Sequence, residues 1–273
     1  MWKRSWKAFI ARLSAIDPCG KAVEKLRGFS TGGIKGGSFL HRLKGFSTRN
    51  PQVFPQSYPQ TLQAIIFDFD GTLVDSLPTV VAIANAHAPD FGYDPIDERD
   101  YAQLRQWSSR TIVRRAGLSP WQQARLLQRV QRQLGDCLPA LQLFPGVADL
   151  LAQLRSRSLC LGILSSNSRQ NIEAFLQRQG LRSLFSVIQA GTPILSKRRA
   201  LSQLVAREGW QPAAVMYVGD ETRDVEAARQ VGLIAVAVTW GFNDRQSLVA
   251  ACPDWLLETP SDLLQAVTQL MRQ

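Results

Sequence analysis

The chain has 273 residues, of which 45% are hydrophobic and 20% are charged, and its formal net charge at pH 7 is +10. This length and composition are typical of a globular protein with one large α/β domain, or a core domain with a smaller insert, and they exclude an intrinsically disordered chain. No run approaches about 18 consecutive apolar residues, so no transmembrane segment is predicted. Four cysteines without a CxxC pair and two histidines give little support to a disulfide framework, a zinc site or a Ser-His-Asp triad.

Residues 1–60 carry most of the positive charge, with 11 Lys and Arg against two acids, whereas residues 61–273 have 21 Lys and Arg against 20 acids. We therefore predict a basic, weakly structured N-terminal extension that ends in a linker with Pro51, Pro55 and Pro59. It could be an organellar transit peptide, an arm that touches a membrane surface or targeting machinery, or the product of a start codon placed too far upstream. Because the rest of the chain is nearly neutral, no nucleic-acid partner is expected.

Apolar runs that are typical of buried parallel strands alternate with amphipathic helical patterns along the rest of the chain. The alternation predicts an α/β fold with a three-layer, doubly wound parallel sheet, formed by residues 61–77 and 141–273. On such sheets, ligands bind at the carboxyl ends of the strands. The predicted strands are 62–67, 159–164, 184–189, 213–218 and 233–239, and the predicted helices are 146–156, 168–180, 197–208 and 222–231.

Between the first two strands, residues 78–140 show no strand pattern, and we predict a small all-helical cap inserted after the first motif. Its clearest helix is 119–135, with Ser119 as the N-cap and Gly135 at the C-terminal end. Such an insert would lie above the carboxyl ends of the strands.

The cap is also cationic, because residues 101–133 contain seven Arg and neither Asp nor Glu. A cationic lid would attract a small anion. Most of these Arg are expected on a solvated helix face. Arg105 and Arg110, which flank Trp107-Ser108-Ser109, are the candidates for contact with substrate.

Two carboxylates follow the first strand in the string Phe67-Asp-Phe-Asp-Gly-Thr-Leu-Val-Asp-Ser76. Asp68 and Asp70 are two residues apart, so they can point the same way, and two such charges require a cation or a proton. With Mg²⁺, Asp68 can be both ligand and nucleophile. Asp70 can then protonate the leaving oxygen and later deprotonate water.

Polar residues follow two later strands. Ser165, Ser166 and Asn167 offer hydroxyl, amide and backbone donors to a phosphate, or else cap the helix that follows. Asp220 can complete an oxygen cage for Mg²⁺ with the Asp68 carboxylate and the Asp70 carbonyl. Asp224, one helical turn later, could orient that cage, or could serve only the helix dipole.

Lys197 is the only Lys among the 21 cationic residues of 61–273. A compact ammonium on a flexible stem can reach both Asp68 and a phosphate, which a planar guanidinium cannot do from the same point. The alternative is that Lys197 only opens a surface Lys-Arg-Arg run.

Together these motifs resemble the haloacid dehalogenase (HAD) superfamily. Asp68-x-Asp70-Gly-Thr, Ser165, Lys197 and Gly219-Asp220-x-x-x-Asp224 stand in the family's order, separated by 97, 32 and 23 residues. The resemblance covers about 61–273, although Arg198 replaces the commoner Pro. It implies catalytic roles for Asp68, Asp70 and Lys197, phosphate binding by Ser165, Ser166 and Asn167, and a Mg²⁺ site made by Asp68, Asp70, Asp220 and Asp224.

Asp70 favours phosphate chemistry, because the family's dehalogenases lack this second Asp. Three segments resemble those of phosphoglycolate phosphatase-like members, namely the cap, residues 143–147 and residues 238–242. The resemblance implies a Mg²⁺-dependent phosphomonoesterase that acts through a phosphoaspartyl intermediate on a small anionic phosphate ester, with 2-phosphoglycolate as the first candidate. Alternatives are a sugar-phosphate mutase, a broad-specificity phosphatase, or a catalytically idle binding module. We expect a cytoplasmic enzyme, or a plastid or mitochondrial one if 1–60 is a transit peptide.

Overall fold

A computed structural model describes residues 62–193 and 196–272, so the basic extension and its proline linker lie outside the described residues. Within this part of the chain, six parallel strands form one sheet in the order β3-β2-β1-β4-β5-β6. This confirms the predicted doubly wound sheet. The strands are β1 (Ala64–Phe67), β2 (Cys160–Leu164), β3 (Val187–Gln189), β4 (Val215–Gly219), β5 (Ile234–Val238) and β6 (Trp255–Leu257).

Ten α-helices connect and follow these strands in the described residues, and none combines the length and the apolar character needed to cross a bilayer. The helices are α1 (Leu77–Phe91), α2 (Tyr101–Leu104), α3 (Ser109–Arg115), α4 (Pro120–Asp136), α5 (Val147–Arg155), α6 (Arg169–Arg178), α7 (Lys197–Arg207), α8 (Thr222–Val231), α9 (Arg245–Ala250) and α10 (Pro260–Leu270).

Two hydrophobic cores lie on opposite faces of the sheet because side chains alternate along each strand. In β1, Ile65 and Phe67 pack with α5, α6 and α10, whereas Ala64 and Ile66 pack with α7, α8 and α9. The sheet is therefore covered on both faces, as parallel sheets usually are.

The same alternation places the candidate residues at the end of β1. Phe69 is fully buried, and its ring meets that of Phe175 in α6 edge to face, with centroids 5.6 Å apart. Phe67 pairs in register with Ile163 of β2 and Val218 of β4, so these three strands end side by side. The residues that follow them along the chain therefore meet at one edge of the sheet.

Helices α1 to α4 all lie between β1 and β2 in the chain, in the region for which we predicted a cap, and the division into core and cap stays a prediction. Ser119 caps α4 as expected, since its hydroxyl accepts a hydrogen bond from the Gln122 N–H at 3.3 Å. The prediction that Gly135 ends this helix is wrong, because α4 continues to Asp136. A Cβ at Gly135 would lie 2.8 Å from Asn171 Oδ1, so this glycine allows α4 to approach α6 closely.

Phe69→Ala should lower the free energy of unfolding by about 3–5 kcal/mol, because it removes a buried ring and leaves a cavity against Phe175. Val249→Ala is the control, since Val249 is 49% exposed, and should change it by no more than about 0.5 kcal/mol. Urea unfolding measures both. A cost below about 1 kcal/mol for Phe69→Ala would contradict the packing described here.

Candidate active site

Asp68 directly follows β1 and is 4% exposed. Its Oδ1 accepts a hydrogen bond from the Phe69 N–H at 2.8 Å, and its Oδ2 accepts one from Lys197 Nζ at 2.6 Å. Both carboxylate oxygens are therefore held in place at the carboxyl end of the central strand.

Asp70 is held by two side chains from different parts of the chain. Ser76 Oγ donates to its Oδ1 at 2.7 Å, and Asn167 Nδ2 donates to its Oδ2 at 3.0 Å. Burial, opposed by the Ser76 hydrogen bond and reinforced by the negative charge of Asp68, raises the pKa of Asp70 to about 6. The chain thus provides two neighbouring carboxyl groups with different environments.

Lys197 opens α7, and its ammonium is buried between two carboxylates. Nζ donates to Asp68 Oδ2 at 2.6 Å and also to Asp224 Oδ1. Burial alone would lower the pKa of Lys197, but the carboxylates of Asp224 and Asp68 outweigh it and raise this pKa above its usual value. Since Lys197 is only 3% exposed, the surface-run alternative is wrong.

Asp220 and Asp224 follow β4 and complete a carboxylate cluster. One oxygen from each of Asp68, Asp220 and Asp224 lies within 4.8 Å of the other two. Burial, followed by the charges of Asp224 and Glu221, raises the pKa of Asp220 well above its usual range. Burial also raises the pKa of Asp224 to about 6, although Lys197 opposes this.

This cluster fits a hard divalent cation. Three buried carboxylates this close repel one another when all are ionised, and one ammonium does not neutralise them. Carboxylate oxygens are also the ligands that Mg²⁺ prefers. Asp220 is also oriented, because the Thr72 hydroxyl donates to its Oδ1 at 2.8 Å and the Phe242 N–H donates to its Oδ2 at 2.7 Å.

Gly71 makes room for this arrangement. Its φ is +77°, and a Cβ there would lie 2.2 Å from Asp220 Oδ2. Any other residue would be strained in this conformation and would also displace the Asp220 carboxylate.

The loop after β2 brings Ser165, Ser166 and Asn167 to the same edge. Ser165 Oγ accepts a hydrogen bond from the Asn167 N–H at 3.1 Å, and Asn167 reaches Asp70. The Ser166 carbonyl accepts one from Gln131 of α4 at 2.5 Å. The N-cap of α6 is Ser168, so the alternative that Ser165 caps this helix is wrong.

The two candidate arginines differ in what the structure describes. Arg105 donates from Nη2 to the Gly241 carbonyl at 3.1 Å, on the loop after β5. Arg110 belongs to α3, but its side chain lies outside what the structure describes. Contact of either residue with substrate stays a prediction.

Sequence reasoning missed two buried residues that tie the helices before β2 to this site. Glu221 Oε2 accepts hydrogen bonds from the Ser109 N–H at 2.9 Å and the Ser109 hydroxyl at 2.6 Å. Although burial raises the pKa of Glu221, the adjacent Arg223 outweighs it and lowers this pKa to about 2. Asn243 Nδ2 donates to the carbonyls of Arg105 and Trp107, both at 2.8 Å. The opposite charges of Glu221 and Arg223, two residues apart, could have indicated a role for Glu221, whereas no pattern in the sequence pointed to Asn243.

Comparison with known proteins agrees with this geometry. The family model for haloacid dehalogenase-like hydrolases matches residues 65–238. A phosphoglycolate phosphatase from Synechococcus elongatus is 99% identical over 212 residues, which are 78% of this chain and 100% of that protein. A phosphoglycolate phosphatase from Chromobacterium violaceum is 32% identical over 203 residues, which are 69% of this chain and 90% of that protein.

A solved structure supports the fold. The crystal structure of a predicted phosphoglycolate phosphatase from Haemophilus somnus has a TM-score of 0.63 at 23% identity, and the match covers 77% of this chain and 99% of that one. The family model spans more than half of the chain. Together with the fold and the carboxylate cluster, it establishes that the chain belongs to the family of haloacid dehalogenase-like hydrolases.

Proposed function

We propose that the chain is a Mg²⁺-dependent phosphatase that hydrolyses a small phosphate monoester through a phosphoaspartyl intermediate on Asp68. The observation that carries the proposal is the buried cluster in which Lys197 donates to both Asp68 and Asp224 beside Asp220. A nucleophilic carboxylate, an ammonium and a cation site at one point are what transfer of a phosphoryl group requires.

The carboxylates of Asp68, Asp220 and Asp224, with the Asp70 carbonyl, would hold Mg²⁺. When bound, this ion would offset their negative charge and withdraw electron density from the phosphoryl oxygens. Ser165, Ser166, Asn167 and Lys197 would bind the remaining phosphoryl oxygens.

The reaction has two balanced steps. In the first, a carboxylate oxygen of Asp68 attacks phosphorus, the bond from phosphorus to the ester oxygen breaks, and Asp70 gives its proton to that leaving oxygen. In the second, Asp70 takes a proton from water as the water oxygen attacks phosphorus. The bond between phosphorus and Asp68 then breaks, releasing inorganic phosphate and restoring both carboxyl groups.

We propose 2-phosphoglycolate as the substrate. The proposal is supported by the names of the two relatives, one of them 99% identical to this chain over 212 residues. It is also supported by the Arg-rich helices that precede β2, which would attract an ester with a second anionic group. Arg105 and Arg110 remain our candidates for pairing with the carboxylate of 2-phosphoglycolate.

The experiment that tests this function measures phosphate release from a panel of phosphate monoesters, with Mg²⁺ and after treatment with EDTA. We expect Mg²⁺-dependent turnover with the highest kcat/KM for 2-phosphoglycolate. In the same assay, Asp68→Asn should lower turnover by at least ~10³-fold, because the amide has the same shape but is not a nucleophile.

The matched control is Asp75→Asn, the same change at an exposed carboxylate seven residues later, which should retain wild-type turnover. Activity that persists in EDTA would contradict the dependence on Mg²⁺, and an Asp68→Asn variant within about tenfold of wild type would contradict the covalent mechanism. A clear preference for another ester would overturn only the choice of substrate.

Lys197→Arg should lower kcat/KM by at least about tenfold, which corresponds to about 1.4 kcal/mol. The guanidinium is longer and planar, so its donors cannot replace one ammonium between Asp68 and Asp224. Arg198→Lys, the reverse change at the exposed neighbour, serves as the control. Wild-type kinetics for Lys197→Arg would remove Lys197 from the reaction.

A further inference from the structure

Asn171 of α6 belongs to a chain of hydrogen bonds that ends at Asp70. Asn171 is 6% exposed, and its Nδ2 donates to the Gln131 carbonyl of α4 at 2.7 Å and to Asn167 Oδ1 at 3.0 Å. Asn167 Nδ2 in turn donates to Asp70 Oδ2 at 3.0 Å. This series of hydrogen bonds therefore runs from the backbone of α4 to Asp70, the proposed proton donor.

The direction of every bond in this chain is fixed. Asn167 Oδ1 also accepts from the Ser168 N–H at 2.7 Å, so the Asn167 amide cannot be reversed without facing one donor with another. Asn171 faces two acceptors, the Gln131 carbonyl and Asn167 Oδ1, so only its NH₂ group fits there. The Asn167 NH₂ group is consequently left to point at Asp70.

Helix α4 makes close contact with these hydrogen-bonded residues at two points. Gln131 Nε2 donates to the Ser166 carbonyl at 2.5 Å, beside Asn167. A Cβ at Gly135, one turn later in α4, would lie 2.8 Å from Asn171 Oδ1. The position of α4 therefore determines where the Asn171 side chain can lie.

We propose that Asn171 is a positioning residue that couples the packing of α4 on the loop after β2 to the orientation of Asp70 as a proton donor. The inference rests on the proposed function, which gives Asp70 that role. Without the Asn171 amide, Asn167 loses one of the two donors that orient its side chain, and Asp70 Oδ2 loses a fixed partner. Misaligned groups transfer protons slowly even when they stay close to the substrate.

The test compares two substrates that differ in their need for a proton. The alkoxide released from 2-phosphoglycolate, or from the best alkyl ester of the panel, needs one, whereas the phenolate released from p-nitrophenyl phosphate leaves without it. We expect Asn171→Ala to lower kcat/KM about tenfold for the alkyl ester and less than about threefold for p-nitrophenyl phosphate. A purely structural defect would lower both values by the same factor.

Two further variants keep the test decisive. Gly135→Ala disturbs the same contact from α4 and should show the same difference between substrates; if Asn171→Ala does not fold, this variant decides. Asn85→Ala is the matched control, because Asn85 is partly buried and its side chain, like that of Asn171, makes two hydrogen bonds, here both to the backbone of Ile96. It should leave the ratio of the two kcat/KM values unchanged.

Asp70→Asn separates failure of this inference from failure of the proposed function. If Asp70→Asn lowers kcat/KM by the same factor for both substrates, Asp70 is not the proton donor, and the proposed mechanism fails. If Asp70→Asn distinguishes the substrates but Asn171→Ala and Gly135→Ala do not, the positioning role of Asn171 is overturned and the mechanism stands.

Discussion

The ammonium of Lys197 lies between the carboxylates of Asp68 and Asp224, and the rest of the site depends on this buried pair of contacts. Burying charged groups is costly unless they are paired, and removing one partner of a buried pair typically costs about 3–5 kcal/mol. Yet one ammonium cannot neutralise Asp68, Asp220 and Asp224 together. Burial is the largest cause that raises the pKa values of Asp220 and Asp224, and the negative charges of neighbouring acids add to it. A divalent cation would offset this excess of negative charge. The carboxylate cluster that is costly to bury in the protein alone is therefore suited to binding a metal ion.

The fold brings these charges together through the geometry of its sheet. In strands β1, β2 and β4, which run parallel and side by side, the carboxyl ends share one edge, and each is followed by a polar segment of the site. Alternation along β1 buries Ile65 and Phe67 on one face and leaves the next residues to form the site. Close approach to the Asp220 carboxylate is possible only because Gly71 lacks a side chain. The helices before β2 then contact this edge through Ser109 and Gln131.

Sequence patterns predicted much of this arrangement, because regular elements follow from local periodicity. The five predicted strands are present, and the contact between Lys197 and Asp68 agrees with the resemblance to the haloacid dehalogenase superfamily and with the reach of a flexible ammonium side chain. Strand β6 was missed because Trp255–Leu257 is an apolar run of only three residues, whereas the equally short β3 lies within the longer segment predicted at 184–189.

Contacts that depend on tertiary packing could not be predicted in this way. The bonds from Lys197 to Asp224, from Ser109 to Glu221 and from Asn171 to the Gln131 carbonyl each depend on how elements or loops are placed, and no local pattern indicates that placement. The interpretation of Gly135 failed for the same reason. Glycine near the end of a helical pattern usually marks the C-terminus, but here it permits the close contact with Asn171.

The carboxylate cluster is tested most directly by calorimetric titration of Mg²⁺ into the full chain after its divalent ions have been removed. The account predicts one Mg²⁺ per chain for the wild type and for Glu226→Gln, a control at an exposed acid of α8. It predicts at least about tenfold weaker binding for Asp220→Asn, which removes one charged ligand. Equal affinity in Asp220→Asn and the wild type, or no binding by the wild type, would contradict the assignment of this cluster as the metal site.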